Sequence, residues 1–77
     1  MEIIVLGPGC AKCKTLEKMV NDKVTELGIT ATVKKEEDIV KIMSYGILST
    51  PGLVIDGKVV MSGRLPSGNE LTELLKK

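Results

Sequence analysis

The residues most able to do chemistry in this chain are two cysteines, Cys10 and Cys13, separated by Ala11 and Lys12. They are the only cysteines in 77 residues. The same spacing serves zinc sites, soft-metal carriers and redox proteins, so the neighbouring elements must discriminate. Two thiols three residues apart at a helix start have α-carbons about 5–5.5 Å apart, within reach of a disulfide. A disulfide closing so short a loop restricts the unfolded chain weakly, so reversible redox explains the pair better than stability does. Free N–H groups and the positive end of a helix dipole favour a thiolate at Cys10, and the cations Lys12 and Lys14 act in the same direction. Cys10 is therefore the expected nucleophile and Cys13 the expected resolving thiol. A second candidate is Thr50-Pro51, because a proline ahead of an apolar strand can turn the chain sharply and present an extended segment for pairing.

Composition narrows the chemistry further. The chain has no His, Trp or Phe, and Tyr45 is its only aromatic residue. That excludes His-based triads, His-ligated metals and aromatic platforms for single-stranded nucleic acid. Eleven Lys and Arg against ten Asp and Glu leave a net charge of +1, so there is no general pull toward nucleic acid or acidic lipid. At 43% hydrophobic and 27% charged, the chain reads as one globular domain over residues 1–77. The N-terminus lacks the basic start and apolar run of a signal peptide, and no stretch approaches a membrane span. The expected compartment is the cytoplasm, where a cysteine pair is more often redox-active or metal-binding than structural.

The elements that must position the cysteines follow from periodicity. The apolar run at 3–6 predicts a strand covered on both faces. Cys13, Leu16, Val20, Val24 and Leu27 form one helical stripe, predicting a helix over 11–27 ended by Gly28. The alternation of Ile29, Ala31 and Val33 predicts a second strand at 29–33. Lys34 through Asp38 reads as a charged connector or first helical turn, and Ile39, Val40, Ile42 and Met43 predict a short second helix, within a helix-like segment at 36–45, that stops at Gly46. Leu53–Ile55 and Lys58–Met61 predict a hairpin around the turn Asp56-Gly57. Ser67 and Glu70 have capping-box spacing before a Leu-rich last helix. The order β-α-β-α-β-β-α predicts an α/β fold: a four-stranded mixed sheet with helices on both faces, the first strand internal. The last helix is expected on the face opposite the first.

In this arrangement Cys10-Ala11-Lys12-Cys13 opens a helix after the first strand, and Ser49-Thr50-Pro51 precedes the hairpin. The chain thus resembles the thioredoxin-like superfamily over essentially its full length, and looks closest to the small glutaredoxin-like redox-active disulfide proteins of archaea and bacteria. The resemblance implies a cytosolic thiol–disulfide oxidoreductase with Cys10 as nucleophile, Cys13 as resolving thiol and a cis bond at Pro51. It implies substrate contacts at Thr50, Pro51, Gly9, Ala11 and Lys12, and no cofactor or metal. The expected partners are protein disulfides and a reductant of the thioredoxin-reductase or glutathione type, with no nucleic acid and no membrane; the expected state is a monomer. The chain departs from thioredoxins proper in having Gly9 where an aromatic precedes the motif, Ala11-Lys12 in place of Gly-Pro, and Ile4 where a buried carboxylate would stand. Ser62-Gly63-Arg64-Leu65 replaces the glycine-rich acidic segment of glutaredoxins. The alternative left open is a carrier that binds a soft metal or metalloid through the two thiols.

Overall fold

A computed structural model of the chain describes residues 1–9 and 11–76. Strand β1 (Glu2–Leu6) leads into helix α1 (Ala11–Leu27). Strand β2 (Thr32–Glu36), helix α2 (Ile39–Ser44), strands β3 (Gly52–Ile55) and β4 (Lys58–Ser62), and helix α3 (Gly68–Lys76) follow. The sheet order is β2-β1-β3-β4, with β1 parallel to β2 and antiparallel to β3. This mixed four-stranded sheet with helices on both faces is a thioredoxin-like fold.

The apolar run of β1 serves both faces at once. Ile3 and Val5 point to one side, where they are buried with Leu16 and Val20 of α1, Leu53 and Met61 of the hairpin, and Leu71 and Leu75 of α3. Leu6 points to the other side, where it packs with Val54, Ile42 and Ile47, and Ile4 joins them. A strand buried on both faces has no need of alternation. The stripe of α1 behaves as its spacing predicts: Cys13, Leu16 and Val20 are buried, and Val24 and Leu27 pack at the margin of the same core.

The helix assignment to the faces differs from the expectation. Helix α3 lies on the same face as α1, and the short α2 covers the other. Both faces of the sheet are apolar, so the Leu stripe of α3 does not by itself say which one it covers. The hairpin decides: Leu53 and Met61 turn toward the α1 side, and the connection carries Leu65 into that same cluster.

The second strand also differs. It runs from Thr32 to Glu36, not over 29–33, in register Glu2↔Thr32 through Leu6↔Glu36. Ile29 and Ala31 lie ahead of the strand and pack against the core from outside it. Pairing with β1 sets the register, and charged side chains such as Lys34 and Lys35 suit an edge strand that must not recruit another chain. The short second helix falls on Ile39–Ser44, as the apolar residues Ile39, Val40, Ile42 and Met43 suggest, and Asp38 starts it: its carboxylate accepts from the N–H of Val40 at 2.8 Å and of Lys41 at 3.4 Å.

Two turns form as their residues dictate. Asp56 and Gly57 have φ of 48° and 84°, the left-handed pair a tight hairpin requires. Asp56 also accepts from Glu2 N–H through Oδ1 and donates its own N–H to Glu2 O, both at 2.8 Å, which ties the hairpin to β1. At α3 the N–H of Glu70 donates to Ser67 Oγ at 3.1 Å, the expected cap.

The shared face makes a measurable prediction. Leu71→Ala should lose about 2–5 kcal/mol, read as a lower midpoint in urea unfolding. Combined with Leu16→Ala, the losses should depart from additivity, because the two side chains share one core. Strict additivity would place α3 away from α1.

Candidate active site

The site forms where β1 ends and α1 begins, beside the loop that enters β3. The β1 ladder continues one residue past the strand: Gly7 N–H donates to Glu36 O at 2.9 Å. This holds the backbone of Gly7 at the end of the sheet, directly under the first turn of α1. Cys13, the first member of the buried stripe, is 5% exposed and disulfide-bonded. The sequence contains one other cysteine, Cys10, and the reading of Cys10 as nucleophile falls outside the described residues.

Gly7 is the junction between the two candidate regions. A Cβ built on it would overlap Cys13 Sγ outright and approach Cys13 Cβ to 2.9 Å. The same Cβ would come within 3.9 Å of Thr50 Cβ. The cysteine at the helix start and the Thr50-Pro51 loop therefore meet across one bare backbone position. In the sequence Gly7 is simply the first residue of Gly7-Pro8-Gly9, which breaks the first strand. The signal was present only in part: a small residue directly after a fully buried strand and six positions before the second cysteine.

The Thr50–Pro51 peptide is cis. Pro51 is buried, whereas Thr50 is half-buried at the surface of the site. The next turn secures the loop: Gly63 N–H donates to Pro51 O at 2.8 Å. Directly after Gly63, Arg64 forms a two-pronged ion pair with Glu70 of α3, with Nη1 to Oε1 at 2.7 Å and Nη2 to Oε2 at 2.5 Å. The connection between β4 and α3 is thus held at both ends, once by the proline loop and once by α3.

The remaining predicted contacts divide. Gly9 is half-buried and lines a small pocket with Gly7 and Cys13, to which Lys14, Lys35 and Glu37 also contribute. The pocket has about 20 Å³ of usable space, room for a single water. Both Lys12 and Lys14 are exposed, and of the two only Lys14 lines this pocket with Cys13. Ala11 is exposed at the first position of α1. Next to Thr50 runs a second, apolar groove, to which Ile39, Met43 and Leu48 contribute; these three are 53%, 60% and 97% exposed.

A buried disulfide cysteine at the start of the helix that follows the first strand, with a cis-proline loop approaching the same glycine on a mixed sheet, defines a protein of the dithiol–disulfide class. The chain belongs to the thioredoxin domain family, whose model matches residues 1–76. It is 39% identical over 75 residues to a thioredoxin of Methanothermobacter thermautotrophicus, covering 97% of each chain. It is 38% identical over 74 residues to a thioredoxin of Methanocaldococcus jannaschii, covering 96% of this chain and 85% of that one. These relationships support a function of the thiol–disulfide oxidoreductase type. Among the described residues, no helix is long and apolar enough to cross a membrane.

The ion pair beside the proline loop gives a pH dependence. The hydrogen bond from Arg64 holds the Glu70 carboxyl below its ordinary value of 4.5, and the same bond pushes the Arg64 guanidinium further up. A carboxylate depressed in the folded state contributes stability above its unfolded value and loses it as pH falls through the folded one. The guanidinium contributes at all pH values below its unfolded one. Glu70→Gln should lower the urea midpoint slightly at about pH 7, and the difference from the parent should shrink as pH falls below the ordinary carboxyl value and the carboxylate takes up its proton. Both side chains are substantially exposed, so the shift is small and should shrink further in high salt. An equal loss at neutral and acidic pH would show that the pair contributes through packing and not charge.

Proposed function

We propose that the protein reduces protein disulfides through a Cys10–Cys13 dithiol. The observation that carries the reading is the buried, disulfide-bonded Cys13 at the helix start. A sulfur with so little exposure is poorly placed to attack an outside disulfide, and is suited instead to attack the sulfur of the cysteine three residues earlier in the chain.

In this reading the Cys10 thiolate attacks one sulfur of the substrate disulfide. A mixed disulfide forms, and the other substrate sulfur leaves as a thiolate that takes up a proton. Cys13, deprotonated, then attacks the Cys10 sulfur. The second substrate sulfur leaves and is protonated, and the protein is left with its own disulfide. Two electrons and two protons have passed to the substrate. A two-electron thiol reductant, either a reductase of the thioredoxin-reductase type or two molecules of a monothiol of the glutathione type that leave as their disulfide, returns the protein to its reduced form.

Thr50 and Pro51 form the shelf on which an extended segment of the substrate lies, and Gly9, Ala11 and Lys12 complete its contacts. Proximity supports this role: Thr50 approaches the same glycine that carries the Cys13 sulfur. The apolar groove beside Thr50 extends the shelf toward α2. Within the family we place the chain with the small glutaredoxin-like proteins, on the absence of an aromatic residue before the cysteines. It acts as one domain, as a monomer, in the reducing environment of the cytoplasm, with no organic cofactor and no metal in the reaction.

The reading is checked by dithiothreitol-driven reduction of insulin. Cys10→Ser should abolish turnover. Cys13→Ser should lower it by at least about a hundredfold, as expected for a residue that performs one of two linked steps, and should accumulate a mixed disulfide visible by mass spectrometry. Full turnover by Cys10→Ser would overturn the proposal. A purified protein that retains a soft metal in its native mass spectrum, and loses no two hydrogens on oxidation, would support a metal carrier instead.

A further inference from the structure

Gly7 stands out because its requirement is steric and local. It is buried, its N–H is committed to Glu36 O at 2.9 Å, and the space where a side chain would stand is filled by Cys13. Neither contact leaves an easy escape. The Gly7 backbone is held by the ladder to β2, and the Cys13 backbone is held by the first turns of a 17-residue helix.

We infer that Gly7 is a positioning residue for the redox couple: its bare backbone is the seat of the Cys13 sulfur and biases the cysteine pair toward the disulfide. The reason lies in the freedom of the sulfur. In the disulfide, Sγ is tied to a second sulfur and its position is confined by the short ring between residues 10 and 13. In the dithiol, Sγ can rotate about the Cα–Cβ bond to another staggered position. A methyl group at position 7 therefore penalises both forms through the 2.9 Å approach to Cys13 Cβ, but penalises the disulfide further through the overlap with Sγ. The difference between the two penalties is a change in reduction potential.

This inference rests on the proposed redox function for its meaning, but the couple can be measured without any substrate protein. The reaction is dithiol plus oxidised glutathione going to protein disulfide plus two reduced glutathione; each side carries the same atoms, and the two electrons lost by the protein thiols reduce the glutathione disulfide. The equilibrium constant is read by trapping free thiols at a series of glutathione ratios. For Gly7→Ala we expect the constant for disulfide formation to fall by at least about tenfold, equivalent to about 30 mV for a two-electron couple. Urea unfolding should show the oxidised form losing more stability than the reduced form. An unchanged constant with equal loss in both forms would overturn the inference and leave Gly7 as a packing residue only.

A second pair of variants covers the case in which Gly7→Ala does not fold. In a Cys13→Ala background the sulfur is gone, so Gly7→Ala should cost clearly less than in the parent, and the double variant should fold. An equal cost in both backgrounds, or an unfolded double variant, would overturn the inference. Insulin reduction in the parent protein separates this outcome from the functional reading: turnover without a Gly7 effect on the potential removes the inference alone. A Gly7 effect without turnover removes the functional reading alone.

Discussion

The site depends on one contact between a strand end and a helix start: the sulfur of Cys13 occupies the volume that a side chain at position 7 would need. Everything around it serves to hold the two backbones at that distance. From below, β1 is paired on both sides and covered on both faces, so its end is rigidly placed. From above, Leu16 and Val20 anchor α1 on Ile3 and Val5, which brings Cys13, one turn earlier on the same stripe, down onto Gly7. The burial of three or four aliphatic side chains, each contributing on the order of 1.5–3 kcal/mol, is what maintains a sulfur–backbone contact that contributes little by itself.

The other half of the site is built by the hairpin. Pairing of Leu6 with Gly52 places the entry to β3 beside the exit from β1, and the cis peptide at Thr50–Pro51 falls just before that pairing. The turn after β4 then closes over the loop through the bond from Gly63 to Pro51. Long-range pairing, a turn and an ion pair on α3 thus converge on one loop. The substrate contacts proposed for this loop would inherit the rigidity of the sheet, a general advantage of placing binding residues where connecting segments leave a fixed scaffold.

The chemistry proposed for this arrangement follows from an asymmetry of exposure. Cys13 lies in the core stripe and is shielded, while Thr50 and the apolar side chains of Ile39, Met43 and Leu48 stay open to solvent on the neighbouring surface. In the proposed reaction, the shielding of Cys13 leaves outside disulfides to the other thiol and keeps the buried one for the intramolecular step. With no His in the chain and Ile4 in the preceding strand, the charged residues that line the small pocket with Cys13 are, among the described residues, Lys14, Glu17, Lys35 and Glu37.

Much of this was legible from local patterns. The span of α1, the hairpin turn at Asp56-Gly57, the Ser67 cap and the internal position of β1 follow from periodicity, turn chemistry and capping, because each depends on residues close together in the chain. The cysteine pair and the Thr50-Pro51 loop announced themselves by residue type. What the sequence did not determine are relations between distant segments. The register of β2 came from pairing with β1, which overrode the alternation at 29–33. The face taken by α3 came from the way Leu53 and Met61 turn, since both sheet faces are apolar and the helix pattern fits either. The role of Gly7 came from the approach of Cys13, and a glycine that makes room for a sulfur looks, in sequence alone, the same as one that ends a strand.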